Sequence, residues 1–417
     1  MADKKTLIKN FSSLSLLQVS NYIFPIITLP YLLRVLGPDK YGLMSFAAAF
    51  TAYFGVFVDY GFNLSIPREI SINRENKKKL VEIFSSVIII KFVIFLISLI
   101  IFVVVVLAIP RFYSDKEIFF LSFIYILGQT FLPAWFFQGV EKMQFITIIT
   151  IPVRALVVIL TFIFIHSPGD IYLLIFINSI SFVVIGVLSL SFILKNFSIV
   201  PAFQSIPTLK YYLKEGFHLF ISTLSISLYT VTNIFLLGLL AGDKFVGFFS
   251  AADKIRMAVQ NLFYTITQTV YPHAARMFNS SIPEGMKFVK KILGTAGTVN
   301  FILCMVIFVF AEPIILLVAG NNYAEAIPVL RIISFLPFIV FLSNIYGIVV
   351  MLNTGDKQAF TGIVITAAII SIALSFALVP SFRETGTSIS AVVAEIFVTV
   401  SAMIYVRNKY KTGVIYR

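Results

Sequence analysis

Long apolar runs separated by short polar breaks cover almost the whole chain. Each run holds about 20 residues or more, which is the length that an α-helix needs to cross the hydrocarbon core of a bilayer. An open strand edge in lipid would leave backbone groups without partners, so we interpret the runs as helices. The pattern predicts an all-α polytopic membrane protein with twelve transmembrane helices, over residues 11–34, 42–66, 80–109, 117–139, 144–165, 171–194, 213–240, 245–275, 288–319, 326–352, 358–379 and 386–406.

One polar break recurs in the second half of the chain. The first copy reads LGPDKYGLMSFA and the second reads GDKFVGFFSAA, and the two align without a gap. The alignment places Gly37 on Gly242 and Gly42 on Gly247. Because glycine permits tight reversals of the backbone, we predict that these four residues act as hinges. The copies follow the first and the seventh predicted helices, which are equivalent positions in a duplicated fold.

The longest polar connection, residues 195–216, follows the sixth predicted helix. Six is an even number, so the second half enters the membrane with the same orientation as the first. This arrangement is typical of parallel repeats related by an axis along the membrane normal. The sequence predicts two pseudo-symmetric lobes of six helices, over residues 1–200 and 201–417.

Composition and charge agree with a membrane protein. Hydrophobic residues make up 59% of the chain and charged residues 12%, whereas about a quarter of a soluble domain is charged. The net charge of +13 could suggest a nucleic-acid partner. However, 21 Lys and Arg residues fall on the predicted N-terminal side of the membrane and six on the other side. Such a bias predicts that both termini lie in the cytoplasm. The orientation in the membrane then accounts for most of the positive charge, and we expect no nucleic-acid partner.

The sequence offers no motif for a bound cofactor or metal. Cys304 is the single cysteine, and the three histidines stand far apart without ligand spacing. A phosphate-binding loop of the GxxxxGK[ST] type is absent from the sequence, as are the patterns of zinc proteases and of Ser-His-Asp hydrolases. We therefore expect no catalytic residues, no cofactor and no metal.

Basic side chains within the predicted helices are the candidate binding residues. An ionisable group at the bilayer centre costs at least about 2.5–3.5 kcal/mol, so it usually faces a wet cavity or a charged partner. Lys91 and Arg331 could instead extend to the membrane surfaces. Together these side chains predict a cationic cavity for an anionic head group such as a phosphate or a pyrophosphate. The candidates are Lys254, Arg256, Arg154, Lys91 and Arg331, with Asn21 as a polar companion.

Acidic residues in the predicted helices are candidates for coupling transport to an ion. Asp253 and Arg256 are three positions apart and could pair on one helix face, which would leave Lys254 as an unpaired charge. Asp59 could pair with Arg68, and Glu395 could be a structural partner. The alternative is that Asp59, Asp253 or Glu395 binds a proton or a sodium ion.

Several stretches carry a resemblance to a known family. These are NFSSLSLLQVSNYIFPIITLPYLLRVLGPDKYGLMSFA, DYGFNLSIPREIS, NRENKKKL and GFFSAADKIR. They resemble the Wzx-type flippases of O-antigen and capsular repeat units, in the multidrug/oligosaccharidyl-lipid/polysaccharide (MOP) exporter superfamily with MATE exporters and the lipid II flippase MurJ. The likeness covers nearly the whole chain.

The resemblance implies a flippase that moves undecaprenyl-pyrophosphate-linked oligosaccharides from the inner to the outer leaflet of the bacterial cytoplasmic membrane by alternating access. It also implies a monomer that works beside polysaccharide polymerase and chain-length machinery. Lys254 matches a basic cavity position of the family. MurJ-like relatives carry further arginines in their first two helices, where this chain offers Asn21 in the first and no basic residue in the second.

Two alternatives stay open at the level of the sequence. One is a cation-coupled multidrug antiporter of the same fold, although its cationic substrates would favour an acidic cavity. The other is a membrane glycosyltransferase or polymerase that uses the same lipid carrier. Such enzymes usually have large outside loops, whereas every predicted outside loop here is short.

Overall fold

The structure, a computed structural model, describes residues 4–411, and the side chains of residues 4–12, 14, 15, 222, 225, 226, 228–230 and 411 lie outside the description. Nearly all of the described residues are helical, and no strand occurs among them. The α-helices are α1 (Lys4–Asp59), α2 (Phe62–Ile72), α3 (Lys77–Ala108), α4 (Pro110–Tyr113), α5 (Lys116–Phe131), α6 (Ala134–Gly139), α7 (Gln144–Phe164), α8 (Ile171–Asn196), α9 (Ile206–Thr230), α10 (Thr232–Leu240), α11 (Asp243–Ser280), α12 (Ile282–Ile292), α13 (Thr298–Val309), α14 (Ala311–Val318), α15 (Ala326–Ile333), α16 (Leu336–Ser343) and α17 (Lys357–Lys411).

Four short segments depart from α-helical geometry. Two are 3₁₀ turns, Pro168–Asp170 and Asn321–Tyr323. The other two, Leu293–Gly297 and Asn344–Met351, are π-helical and lie within predicted transmembrane helices.

The all-α prediction is confirmed, and each predicted helix coincides with one helix of the structure or with consecutive helical pieces. Helix α17 contains two predicted helices, and α1 contains the first and most of the second, which ends in α2. The backbone departs from helical geometry at Gly37 within α1 and at Arg383 within α17. In the part of the chain that the structure describes, eight helical segments are long and apolar enough to cross a membrane. Two of them, Leu16–Ile72 and Lys357–Tyr410, have 57 and 54 residues, which is enough for two crossings each. The total of twelve crossings stays a prediction.

Contacts divide the chain into two compact units. Unit 1 comprises Met1–Leu36 and Ala47–Ser227, and unit 2 comprises Gly37–Phe46 and Leu228–Arg417. The predicted lobes were defined by the repeated sequence pattern, whereas these units are defined by contacts between residues in the structure. The two divisions differ in the position of the boundary and in the short segment that unit 2 takes from the first half.

In unit 1, α5 packs along α8, and α7 also contacts α8. Two glycines permit the close approach of α5 and α8. A Cβ on Gly128 would lie 2.5 Å from the backbone nitrogen of Val183, and a Cβ on Gly186 would lie 2.8 Å from the carbonyl oxygen of Gly128. Small residues at such contacts are common between membrane helices, where van der Waals packing replaces the hydrophobic effect.

In unit 2, α11 packs against α15 and α16, and it begins at one copy of the repeated break. Gly37 has φ 66° and ψ 174°, and Gly242 has φ 102° and ψ 173°. This backbone region is essentially restricted to glycine. The two copies are therefore the same turn in three dimensions as well as in sequence.

The other two repeated glycines bring the copies into contact with each other. A Cβ on Gly42 would overlap the carbonyl oxygen of Asp243 and lie 2.7 Å from the nitrogen of Gly247. A Cβ on Gly247 would lie 2.8 Å from the carbonyl carbon of Pro38. The contact is reciprocal, and it explains why residues Gly37–Phe46 belong to unit 2. Gly42 and Gly247 are close-packing positions here, and their role as hinges stays a prediction.

Candidate functional site: polar side chains of the transmembrane helices

In unit 1, the structure brings Arg154 and Asn21 together. The Nη1 of Arg154, on α7, donates a hydrogen bond to the Oδ1 of Asn21, on α1. The guanidinium carbon lies 5.6 Å from the centre of the Phe182 ring, a cation–π contact. The Nε of Arg154 is buried and has no hydrogen-bond partner among the described residues. Arg154 therefore keeps one buried donor that no described residue satisfies.

Lys91 and Asp59 belong to a second polar group of unit 1. The Nζ of Lys91 donates a hydrogen bond to the carbonyl oxygen of Gln129 at 3.0 Å, and the side chain is only 1% exposed. Asp59 accepts a hydrogen bond from the Nδ2 of Asn63 and attracts Lys91 electrostatically. The structure thus holds Lys91 inside the unit, and among the described residues neither Lys91 nor Arg68 forms an ion pair with Asp59.

In unit 2, Asp253 and Arg256 pair on α11, as the spacing of three residues predicts. The Nη2 and Nε of Arg256 lie 2.7 and 2.8 Å from the Oδ1 of Asp253. The Nη1 of Arg256 donates a further hydrogen bond to the Oε1 of Gln260. Arg256 is buried, and its charge is balanced by the carboxylate.

Lys254 lies on an exposed face of the same helix and has no hydrogen bond or ion pair with the side chains and backbone that the structure describes. Further along α11, this face carries polar side chains at helical spacing. The Asn261, Gln268 and Arg276 side chains likewise have no partner in the described part of the chain. Thr265 lies on the same face and donates to the carbonyl oxygen of Asn261 at 3.0 Å. We call Lys254, Asn261, Thr265, Gln268 and Arg276 the polar face of α11.

The exposed surfaces of other helices differ sharply from the polar face. Helix α13 exposes residues such as Val299, Ile302 and Val306, which suit contact with lipid. Polar groups without partners cost several kcal/mol in hydrocarbon. Helix α11 is not among the eight described segments that are long and apolar enough to cross a membrane, so its crossing stays a prediction. In a helix that crosses the membrane, a face of this kind would have to meet water rather than lipid.

The remaining candidates are placed elsewhere in unit 2. Arg331 lies 3.8 Å from Glu312, and both side chains are about half exposed. Glu395 is buried and accepts a hydrogen bond from the Oγ of Ser343 at 2.6 Å. Glu395 thus has a partner on a neighbouring helix, which fits the structural alternative without excluding a role in ion binding.

Sequence reasoning missed most of the polar face. The signal was present, because residues 254, 261, 265, 268 and 276 follow one another at intervals of three, four, seven or eight residues on one helix. Arg276 follows the predicted helix 245–275, whereas α11 continues to Ser280. The hydrogen bond between Arg154 and Asn21 was also not predicted, since the two residues are 133 positions apart.

Comparison with protein families gives one match that covers most of the chain. The family model described as "polysaccharide biosynthesis protein" matches residues 7–278. A protein of Escherichia coli (strain K12), provisionally named O-antigen transporter, is 36% identical over 407 residues. The alignment covers 97% of this chain and 98% of that protein.

Solved structures with a similar fold include a lipid flippase and a multidrug transporter. The lipid II flippase MurJ, in an inward closed conformation, has a TM-score of 0.69 at 14% identity, over 96% of this chain and 87% of that one. An inward-facing MATE multidrug transporter of the MOP superfamily has a TM-score of 0.66 at 16% identity, over 94% of this chain and 96% of that one. At these identities the likeness shows the fold alone.

Proposed function

Because the chain belongs to the polysaccharide biosynthesis protein family, we propose that it is a flippase for lipid-linked oligosaccharides. It is a multi-pass membrane transporter rather than an enzyme. The proposed substrate is an O-antigen or capsular repeat unit on undecaprenyl pyrophosphate, moved from the inner to the outer leaflet of the bacterial cytoplasmic membrane. The name of the Escherichia coli relative supports this substrate class.

The polar face of α11 is the observation that carries the proposal. It offers one unpaired lysine, amide and hydroxyl groups, and a basic residue near the end of the helix. A pyrophosphate that leaves the aqueous phase needs positive charge and hydrogen-bond donors in place of its water. Lys254 would supply the charge, while Asn261, Thr265 and Gln268 would solvate phosphates and sugar hydroxyls. The lipid tail would stay in the bilayer.

Basic residues of unit 1 would add to the binding of the head group. Arg154 is the strongest candidate there, because its buried Nε lacks a partner and Asn21 orients its guanidinium. Lys91 would act indirectly, by holding Gln129 and balancing Asp59. Arg256 would orient Asp253 and Gln260, and Arg331 would contribute from an exposed position.

Alternating access would use the turns at Gly37 and Gly242, with Gly42 and Gly247 as the contact about which the two turns pivot. A proton or sodium gradient would drive the cycle through Asp59 or Glu395. Asp253 suits that role less well, because Arg256 already balances its charge.

The charges also bear on the multidrug alternative. A binding site for cationic drugs needs a free carboxylate within the helices. Asp253 is neutralised by Arg256, Asp59 attracts Lys91 electrostatically, and the buried Glu395 accepts a hydrogen bond from Ser343. Lys254, in contrast, has no acidic partner in the part of the chain that the structure describes. This distribution favours an anionic substrate.

A complementation experiment tests the proposed function. A strain that lacks its own repeat-unit flippase is supplied with the wild-type chain, with Lys254→Ala or with Lys244→Ala, and surface glycan is measured at matched protein levels. Lys244 is the control, since it is an exposed lysine on the same helix that contacts the Phe248 ring. We expect glycan with the wild type and with the control, and a strong loss with Lys254→Ala. Normal glycan with Lys254→Ala would contradict the role of the polar face.

A further inference from the structure

A groove of about 690 Å³ lies in unit 2. Its walls are α12, the π-helical segment Asn344–Met351 and the last turns of α17. Its volume falls in the range of about 300–1,000 Å³ that is usual for small-molecule sites. None of the proposed transport residues lines the groove.

One wall of the groove continues into an exposed apolar surface, which is suited to contact with lipid. Val400, Met403 and Ile404 of α17 line the groove and are 46%, 38% and 53% exposed. They belong to the segment Lys357–Tyr410, which is long and apolar enough to cross the membrane. The interior of the groove is therefore continuous with the hydrocarbon, and an acyl chain can enter it without crossing water.

The rim of the groove is basic. Lys287, Lys290 and Arg407 line it, and no acidic residue does. None of these three has an ion pair within the described residues. The nearby carboxylate of Asp356 is bound to Lys409 instead. Uncompensated positive charge beside an apolar groove is complementary to an anionic amphiphile.

The positions of the three basic residues along their helices suit the binding of a lipid head group. Lys287 and Lys290 lie near the start of the candidate membrane segment Ile282–Val309, and Arg407 lies near the end of Lys357–Tyr410. All three charges therefore stand at the edge of the membrane, where phospholipid head groups are found. By the count of basic residues, this edge is the cytoplasmic one.

We propose that this groove binds one anionic phospholipid of the surrounding membrane. Its phosphate lies among Lys287, Lys290 and Arg407, and an acyl chain packs against Met286, Met403 and Ile404. The lipid links α12 to the end of α17 and contacts Tyr346 in the π-helical segment. Its occupancy adds to the stability of unit 2 because it binds the folded protein only.

Native mass spectrometry of the full-length protein in detergent tests the proposal. The protein is incubated with equal amounts of phosphatidylglycerol and phosphatidylcholine, and bound lipids are counted. We expect the wild type to retain phosphatidylglycerol in preference. The variant Lys287→Ala/Lys290→Ala/Arg407→Ala should bind it on the order of a hundredfold more weakly, since each basic residue near an anionic lipid surface contributes about 1 kcal/mol.

Two further variants separate the groove from general surface charge. The triple variant Lys195→Ala/Lys210→Ala/Lys214→Ala removes three exposed lysines of unit 1 and should retain the lipid as the wild type does. Met403→Trp fills the groove, keeps all the charges and should lose the lipid, even if the triple groove variant fails to fold.

Three outcomes would overturn the proposal. The first is equal retention of phosphatidylcholine and phosphatidylglycerol by the wild type. The second is full retention of phosphatidylglycerol by Met403→Trp. The third is complete displacement of phosphatidylglycerol by an equal amount of a polyprenyl phosphate, which would identify a polyprenyl chain as the occupant. None of these outcomes depends on transport activity, so the proposed function is tested separately.

Discussion

Charged side chains in the helices are balanced by different kinds of partner. Arg256 meets the carboxylate of Asp253, Arg154 meets the amide of Asn21, and Lys91 meets a backbone carbonyl oxygen. Lys254 has none of these partners in the part of the chain that the structure describes. A charge left without a partner in a membrane protein points to water or to a ligand. Because of this contrast, we propose Lys254 as the main contact of the head group.

Pairs of side chains that are close together in the sequence were predictable, whereas pairs that are far apart in the sequence were not. A spacing of three residues puts Asp253 and Arg256 on one face of a helix, whatever the fold around it. The hydrogen bond between Asn21 and Arg154 depends on how α1 and α7 pack, and no pattern along the chain encodes that packing. Lys91 illustrates the same limit, because its acceptor is a backbone carbonyl oxygen on another helix.

Asp356 gives a prediction about pH. It lies just before α17 and accepts hydrogen bonds from Thr354 at 2.9 Å, from Tyr405 at 3.1 Å and from Lys409. Partial burial raises the pKa of Asp356, but these hydrogen bonds outweigh that effect and hold the pKa below its ordinary value. The carboxylate therefore stabilises the fold above its unfolded pKa of about 3.9, and this stabilisation is lost as the pH falls through the folded pKa.

We expect Asp356→Asn to lower the stability in detergent at pH 7 by about 1 kcal/mol, since a charge-assisted hydrogen-bond network is weakened. Thermal unfolding measured from pH 7 downwards should show the difference from the wild type shrinking below pH 4. Asp115→Asn is the matched control, because Asp115 has an ion pair with Arg111 at 3.8 Å that should contribute little. A pH-independent difference would contradict the assignment.

At the scale of the helices and the breaks between them, much of the structure was predictable from the sequence. Runs of apolar residues located the helices, and the repeated glycines located two turns of the same backbone geometry. The same geometry at Gly320, with φ 85° and ψ 177°, was not predicted, because its neighbours do not repeat the motif. The break at Arg383, with φ 49°, falls in the polar stretch between the predicted helices 358–379 and 386–406, but no residue type there indicates a left-handed backbone at Arg383. A non-glycine residue adopts such a conformation only where tertiary contacts impose it.

The contact between the repeated turns gives a prediction about stability. Gly42→Ala would force a Cβ onto the carbonyl oxygen of Asp243, and overpacking of this kind costs about 1–3 kcal/mol. Gly362→Ala is the control, since that glycine lies within α17 with no neighbour inside 4 Å of a Cβ. Thermal unfolding should show a lower melting temperature for Gly42→Ala and an unchanged or higher one for Gly362→Ala. Equal melting temperatures would contradict the close contact.

The polar face of α11 gives a prediction about access to water. In a Cys304→Ser background, single cysteines at Asn261 and Gln268 should react with a membrane-impermeant thiol reagent. Cysteines at Ile302 and Val306, on the apolar exposed surface of α13, should not react, because a thiol in hydrocarbon stays protonated. The extent of labelling is read by mass shift on a gel. Equal labelling of both helices would contradict a water-filled space beside α11.

At the scale of the whole molecule, the duplicated pattern has a consequence that sequence alone did not reveal. Two parallel lobes were predicted from the repeat, and the structure has two compact units. The first copy of the turn, however, packs against the second copy inside unit 2. Close packing of glycine on backbone depends on three-dimensional proximity, so a linear pattern could align the copies but could not show that they touch.

Translocation by the purified protein tests the central claim most directly. The protein is reconstituted in liposomes with a fluorescent oligosaccharide on undecaprenyl pyrophosphate, and the fraction exposed to an impermeant quencher is followed with time. We expect the wild type and Lys244→Ala to equilibrate the lipid between leaflets. Lys254→Ala should be slower by about 10- to 100-fold, the factor expected from losing a charge-assisted hydrogen bond. Translocation by Lys254→Ala at the rate of the wild type, or by the wild type at the rate of protein-free liposomes, would contradict the account.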